Sequence, residues 1–371
     1  MKPHGTSYHE DKHKEVVMAD SVYEKLREHL DSLPTGFPKT ESGVEIKILK
    51  KLFTEEEAEM ACNMTIMPET AEQVAHRLKR DLEATEAFLY AMSKKGLLMR
   101  YRDGGNTYYT SAMFIIGIFE FQVNNLDREL VDLLHQYARE AMYRELLVPD
   151  TPQLRVVPVQ ESLDPAMEIA PYDELRKILS AQRTIALADC ICRKMSKVEG
   201  KPCHAPLESC LLFGAMGEFY IENGLARKIS LEEAYAVLKR NEEAGLVPNP
   251  ANSKFVGGMC SCCSCCCEVL KAVKLDAHPS RRVKSNYFAR VNADLCTGCE
   301  VCLDRCQMEA ITMVEDRAVI NLNRCVGCGL CVTTCPTEAL SLQKKPPEEQ
   351  YVPPERAVET YMRIAMERWK M

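Results

Sequence analysis

Residues Cys296 to Cys306 read CTGCEVCLDRC, and Cys325 to Cys335 read CVGCGLCVTTC. Both have the spacing C-x2-C-x2-C-x3-C, and each cysteine meets its counterpart 29 residues later. The flanks repeat too, VNADLCTGCEVCLDRCQMEAITM against INLNRCVGCGLCVTTCPTEALSL, so the segment is an internal duplication.

The chain around it has 371 residues, too many for one ordinary core, and two to four domains are expected. With 46% hydrophobic and 27% charged residues it reads as a soluble globular protein. A net charge of −7 offers no general attraction to nucleic acid. The opening residues MKPHGTSYHEDKHKE carry no apolar segment, so no secretory signal is expected. The most apolar stretch, Ser111 to Val123, is interrupted by Glu120 and falls short of the roughly 20 apolar residues that span a bilayer. A cytoplasmic location follows as the expectation. In that reducing compartment, 19 cysteines point to metal or redox chemistry rather than disulfides.

Three thiolates at x2 intervals curl a loop around one corner of an iron–sulfur cubane, and the fourth cysteine opens a short helix towards a second cluster. Gly298 and Gly327 suit the tight loops. Residues 287–345 resemble the bacterial two-cluster ferredoxin domain. The resemblance implies two 4Fe–4S clusters, one held by Cys296, Cys299, Cys302 and Cys335, the other by Cys325, Cys328, Cys331 and Cys306. Gln307 stands where that family usually has proline, whereas Pro336 keeps it. Zinc ribbons pair two C-x2-C units without this interleaving, which argues against a structural zinc site.

The remainder divides into an α+β, mainly helical, multidomain chain. Residues 1–43 read as a polar segment ending in a linker, DSLPTGFPKTESG. Thr54–Glu57 (TEEE) and Thr70–Gln73 (TAEQ) are capping-box patterns that open helices of about 54–63 and 70–80. A third helix over 82–95 stops at Gly96, and two strand-like runs flank Asp103-Gly104-Gly105-Asn106. Residues 44–122 thus resemble a winged-helix domain. Such domains often read DNA with the third helix, but here that helix opens with Asp81, Glu83 and Glu86, which repel phosphate. Arg77, Lys79, Arg80, Arg100 and Arg102 offset this only in part. Cys62 reads as a small core hydrophobe.

Residues 123–286 read as a cysteine-rich helical module. They hold Cys190, Cys192, Cys203 and Cys210, then CSCCSCCC at Cys260–Cys267. Cys260, Cys263 and Cys266 repeat the x2 interval of the downstream loops, with Cys262, Cys265 and Cys267 facing elsewhere. The two groups are expected to meet and share at least one additional iron–sulfur cluster, whose ligands come from Cys190, Cys192, Cys203, Cys210, Cys260, Cys263 and Cys266. Zinc or a redox disulfide is the alternative. His204 beside Cys203 reads as a hydrogen-bonded neighbour. Arg193 and Lys194 read equally as charges that tune a cluster potential or as solvated helix charges, and Arg281, Arg282, Lys284 and Arg290 form a basic linker that is either solvated or suited to an acidic redox partner. The module resembles cysteine-rich segments of uncharacterised iron–sulfur proteins of anaerobes, a resemblance that brings no known reaction with it. In the tail, residues 346–371, Val358, Tyr361, Met362, Ala365, Met366 and Trp369 form one helical face, expected to pack on its own chain.

No G-x-G-x-x-G, Walker loop, paired-histidine metal motif or nucleophile triad is present. The leading expectation is an electron-transfer protein carrying low-potential electrons, a subunit or partner of a flavoprotein or other oxidoreductase. An oxidoreductase with its active site at the cysteine-rich module and a redox-sensing DNA-binding regulator are the alternatives.

Overall fold

The structure, a computed structural model, describes residues 21–369. They form two compact units that meet in sequence between Glu145 and Leu146. Residues 1–20, part of the expected polar segment, lie outside the described residues.

In the first unit residues 21–32 are helical, where polar chain was expected. Its apolar residues recur at spacings of three and four, and Tyr23, Leu26 and Leu30 are buried along one face. The stretch read as a linker is likewise anchored. Phe37 is fully buried, with its ring 4.4 Å from Phe114 and 4.7 Å from Tyr137. Helices Val44–Leu52 and Glu55–Cys62 lead to β1 (Glu69–Thr70), helices Ala71–Leu78 and Leu82–Lys94, and the hairpin of β2 (Leu98–Asp103) and β3 (Asn106–Ser111). The sheet order is β1-β3-β2. Residues 123–145, including the helix Arg128–Tyr137, fold with this unit rather than with the cysteine-rich module.

Both capping boxes form. Thr54 accepts from the Glu57 N–H at 3.2 Å while Glu57 accepts from the Thr54 N–H at 2.9 Å. Thr70 and Gln73 repeat the arrangement. Thr54→Ala is therefore expected to cost about 1 kcal/mol, read as a lower urea midpoint with an unchanged slope.

The second unit corrects the helical reading of the cysteine-rich module. Its centre is a five-stranded antiparallel sheet of β4 (Ile185–Asp189), β5 (Glu208–Phe213), β6 (Ala226–Lys228), β7 (Val247–Pro250) and β8 (Gly258–Cys262), in the order β6-β4-β5-β8-β7. These strands are short, and β7 (VPNP) and β8 (GMCSC) hold a single β-branched residue between them, so they lack the β-branched alternation that announces a strand. Ile185, Leu187, Leu211, Phe213 and Met259 share one core with Leu175, Ile178 and Leu179 of the helix Leu175–Ser180 and with Ala234 and Val237 of the helix Leu231–Glu243.

The duplicated segment follows as β9 (Tyr287–Val291) paired antiparallel with β12 (Leu340–Lys344), and a hairpin of β10 (Ile311–Val314) and β11 (Arg317–Ile320). Half of the basic linker before it is structural. Arg282 pairs with Asp276 at 2.6 Å, and the Lys284 ammonium lies over the Tyr351 ring. The terminal helix Ala357–Trp369 does pack on its own chain, but of the expected face only Ala365 is buried. Thr360, Ile364 and Ala365 are buried and Glu367 accepts twice from Thr151, while Val358, Met362, Met366 and Trp369 are exposed. The sequence pattern found the stripe without showing which side faces the sheet domain.

Candidate metal centres

Four thiols surround each of two hollows in the duplicated segment. One is lined by Cys296, Cys299, Cys302 and Cys335, the other by Cys306, Cys325, Cys328 and Cys331. The interleaving arises because the helix Val301–Arg305 carries the chain from the first loop across to Cys306. The glycines are required where backbones touch. A Cβ on Gly327 (φ +70°) would collide with the Tyr287 carbonyl oxygen, and one on Gly298 (φ +71°) would reach the Asp316 carbonyl oxygen to 2.7 Å.

Backbone N–H groups are aimed at the sulfurs: Ala318 donates to Cys296 at 3.4 Å, Ala310 to Cys306 at 3.2 Å and Ala289 to Cys325 at 3.5 Å. The first of these, with Gly298, holds the Cys296 thiol below its usual range. Around the second hollow burial acts the other way. It pushes Cys328 up to about 12 and raises Cys331 strongly. Those sulfurs carry charge only with an electropositive group among them. Converging thiols, donors to sulfur and an apolar surround fit a cluster at each hollow. Cys299 is exposed, so the first hollow lies at the surface. The second is turned inward, where Cys306, Cys325 and Cys328 pack with Met308, Val326 and Leu330 against Cys262 and Cys267 of the sheet domain.

Gln307, in the proline position, links the two parts of this unit. Its side-chain oxygen accepts from the Ser264 N–H at 2.8 Å and from the Ser264 hydroxyl, and its amide donates to the Gly245 carbonyl at 2.9 Å. Arg305 adds bonds to the Glu242 and Glu243 carbonyls at the C-terminal end of the helix Leu231–Glu243, where a cation is favoured. Proline offers neither the donor nor the acceptor reach.

The ten cysteines of the sheet domain sort into two sets. In the outer set Cys203 stands 3.9 Å from Cys263 and 3.6 Å from Cys265, and Cys265 stands 3.6 Å from Cys266. All four sulfurs lie within 4.8 Å of one another, close to the ~3.8 Å edge of a tetrathiolate shell around one ion. A hydrogen bond from Cys266, with Arg193 beside it, holds Cys263 down to about 4, and burial pushes Cys265 up to about 12. Cys265, read as facing elsewhere, belongs here.

Cys260 does not. The reading of Cys260, Cys263 and Cys266 as one ligand run fails because Cys260 and Cys262 lie on strand β8, where side chains alternate and residues two apart share a face. Cys260 contacts Cys210 and Cys262, Cys262 contacts Cys267, Cys267 contacts Cys192, and Cys192 contacts Cys190. These six form the inner set.

Arg193 lies between the sets, 3% exposed, donating to the Ser261 carbonyl at 3.2 Å, to Cys263 Sγ at 3.7 Å and to the Ser209 hydroxyl. Lys194 instead pairs with Asp189 at 3.3 Å. His204 is exposed beside the outer set. In the first unit Cys62 is half-buried, and desolvation pushes its thiol up to about 11.

Residues 295–351 match the family described as the 4Fe-4S dicluster domain. No curated protein and no solved structure matches the chain. The matched segment contains both hollows, so the chain carries a ferredoxin-type iron–sulfur domain indicating two 4Fe–4S clusters, beside a cysteine set, Cys203, Cys263, Cys265 and Cys266, that can hold a further centre.

Proposed function

We propose that the chain is an iron–sulfur electron-transfer protein, the partner or subunit of a flavoprotein or other oxidoreductase. In this reading Cys296, Cys299, Cys302 and Cys335 ligate cluster one, Cys306, Cys325, Cys328 and Cys331 ligate cluster two, and the outer cysteines hold a further centre. Bound clusters of this type supply single electrons at low potential. The observation that carries the reading is the Gln307 bridge, which ties the residue after Cys306 to the loop between Cys263 and Cys265. The exposed Cys299 edge is where an external partner would dock.

The test is anaerobic stopped-flow mixing with a reduced low-potential flavoprotein as donor. Reduction of the cysteine-rich centre is expected to slow at least tenfold in Gln307→Ala, with both ferredoxin-type signals retained. An unchanged rate in a variant stripped of cluster two would sink the proposal.

One observation favours a second reading, an oxidoreductase. A cavity of about 240 Å³ opens beside the cysteine-rich loop, lined by Tyr235, Lys239, Asn241, Glu242, Leu246 and Ser261. Leu246 also packs on Cys263 and Cys266. A change in the spectrum of the reduced protein on adding a small-molecule oxidant would favour it. Within the first unit, the helix–strand–helix–helix–hairpin order from Glu55 to Ser111 supports the winged-helix reading. DNA binding gains little from it: Arg77 is paired with Glu69, Arg80 with Glu56, and Arg100 is buried against Ser93. Among the described residues no helix is long and apolar enough to cross a membrane.

A further inference from the structure

The six inner cysteines come from four separate pieces of chain. Cys210 lies on β5 and Cys260 and Cys262 on the neighbouring β8. The register pairs Leu211 with Met259, so Cys210 and Cys260 sit next to each other on one face, opposite the face where Leu211 and Met259 join the hydrophobic core. Cys190 is the N-cap of the helix Ile191–Val198, with Cys192 in its first turn, and Cys267 is the N-cap of the helix Glu268–Leu275. Two helix N-termini, each the positive end of its dipole, thus open onto the thiols of a sheet face. The thiols touch in the sequence Cys190, Cys192, Cys267, Cys262, Cys260, Cys210.

Packing alone does not account for this. A free cysteine is a good small core residue, but the row also faces a charge that packing leaves unexplained. The Arg193 guanidinium is buried, its Nε has no hydrogen-bond partner, and none of its partners is a carboxylate. A buried cation without a counter-charge is strongly unfavourable. Its acidic neighbours are sulfurs: Cys190 and Cys262 of the inner row and Cys263 of the outer set. Arg193 thus marks this region as a place for anionic sulfur, to which Cys263 of the outer set and, as thiolates held by metal, Cys190 and Cys262 of the inner row contribute.

We propose that the six inner cysteines form a separate, buried iron–sulfur centre, distinct from the outer tetrathiolate and lying between it and cluster two. A single tetrahedral ion takes four thiolates. The row extends past the reach of one such shell, so the site takes a polynuclear iron–sulfide cluster, whose own four thiolates come from among the six. Its position follows from the core it shares: Cys262 and Cys267 are buried in the same cluster of residues against which Cys306, Cys325 and Cys328 pack. This inference deepens the electron-transfer reading and rests on it for the role of the centre, but not for its existence.

The test is inorganic sulfide and iron per chain, measured on the full-length protein purified and reconstituted anaerobically, in wild type, Cys265→Ala and the Cys262→Ala/Cys267→Ala double variant. The two ferredoxin-type clusters account for about eight sulfide ions. Wild type is expected to exceed that, the excess to persist in Cys265→Ala, and sulfide to fall back to about eight in the double variant. A wild-type content of eight overturns the proposal, as does an excess lost with Cys265, lost in both variants or kept in both. If the double variant does not fold, wild type against Cys265→Ala still decides. Eight sulfides without excess leaves the electron-transfer reading standing, whereas fewer than eight in wild type removes that reading instead.

Discussion

Cys306→Ala is expected to remove about four of the eight ferredoxin-type irons, and to remove them from the cluster whose other cysteines lie in the second motif. Cys306 is the last cysteine of the first motif, yet it lines the hollow of Cys325, Cys328 and Cys331. A chain that folded each motif round its own cluster would lose the other four. Native-state alkylation followed by mass spectrometry separates the outcomes. In the variant Cys325, Cys328 and Cys331 become reactive, while Cys296, Cys302 and Cys335 stay protected. Modification of the first-motif cysteines instead would refute the interleaved ligation. The loss should also reach beyond iron content, because Gln307 follows Cys306 directly and carries the bridge to Ser264. Cys62 is an internal control. With its thiol pushed up to about 11 by burial, it should label slowly at neutral pH in both proteins.

These expectations also show where residue order is informative. The eight ferredoxin-type cysteines were legible because cubane ligation is local: three ligands fall within seven residues, and the spacing itself encodes the curl of the loop. The capping boxes at Thr54 and Thr70 were legible for the same reason, since donor and acceptor are three residues apart. The cysteine-rich module was not. Its thiols sort by strand alternation on β5 and β8 and by the positions of two helix starts, which place Cys260 beside Cys210, 50 residues away in the chain. The x2 interval of Cys260, Cys263 and Cys266 described a loop, but Cys260 lies on a strand, and a strand sorts its side chains by twos. The first helix was missed for a different reason. Its run of Tyr23, Leu26 and Leu30 is thinly apolar, and Glu24, Lys25, Arg27, Glu28 and Asp31 around it are charged, so composition outweighed periodicity. Gln307 was visible as a departure from proline, although its consequence needed the Ser264 loop to be in place.

Asp173→Ala is expected to cost about 3–5 kcal/mol, the largest stability effect of any single substitution considered. Arg155 and Asp173 form an ion pair of 2.8 Å with side chains only 2% and 5% exposed. Burial raises the Asp173 carboxyl and lowers the Arg155 guanidinium, and the attraction between them only partly offsets this, so both charges are held at a desolvation cost. Removing the carboxylate strands the guanidinium, whose remaining bond is to the Tyr172 carbonyl and whose Nε is already without a partner. It also releases Asn286, which donates to Asp173 at 2.7 Å and to the Tyr351 carbonyl at 3.0 Å and accepts from the Tyr351 N–H. Asn286 immediately precedes β9, so the network fixes the strand that carries the Ala289 donor to Cys325. Urea unfolding should therefore show a lower midpoint, and air exposure should bleach cluster two faster than cluster one. The double replacement Arg155→Met/Asp173→Leu removes both charges and should recover most of the loss, because a buried pair is worth little against apolar residues of similar volume. If the double variant is as unstable as Asp173→Ala, the instability comes from the hydrogen bonds of Asn286 rather than from the unpaired charge, and Asp173→Asn, which keeps an acceptor for Asn286, would then recover it instead.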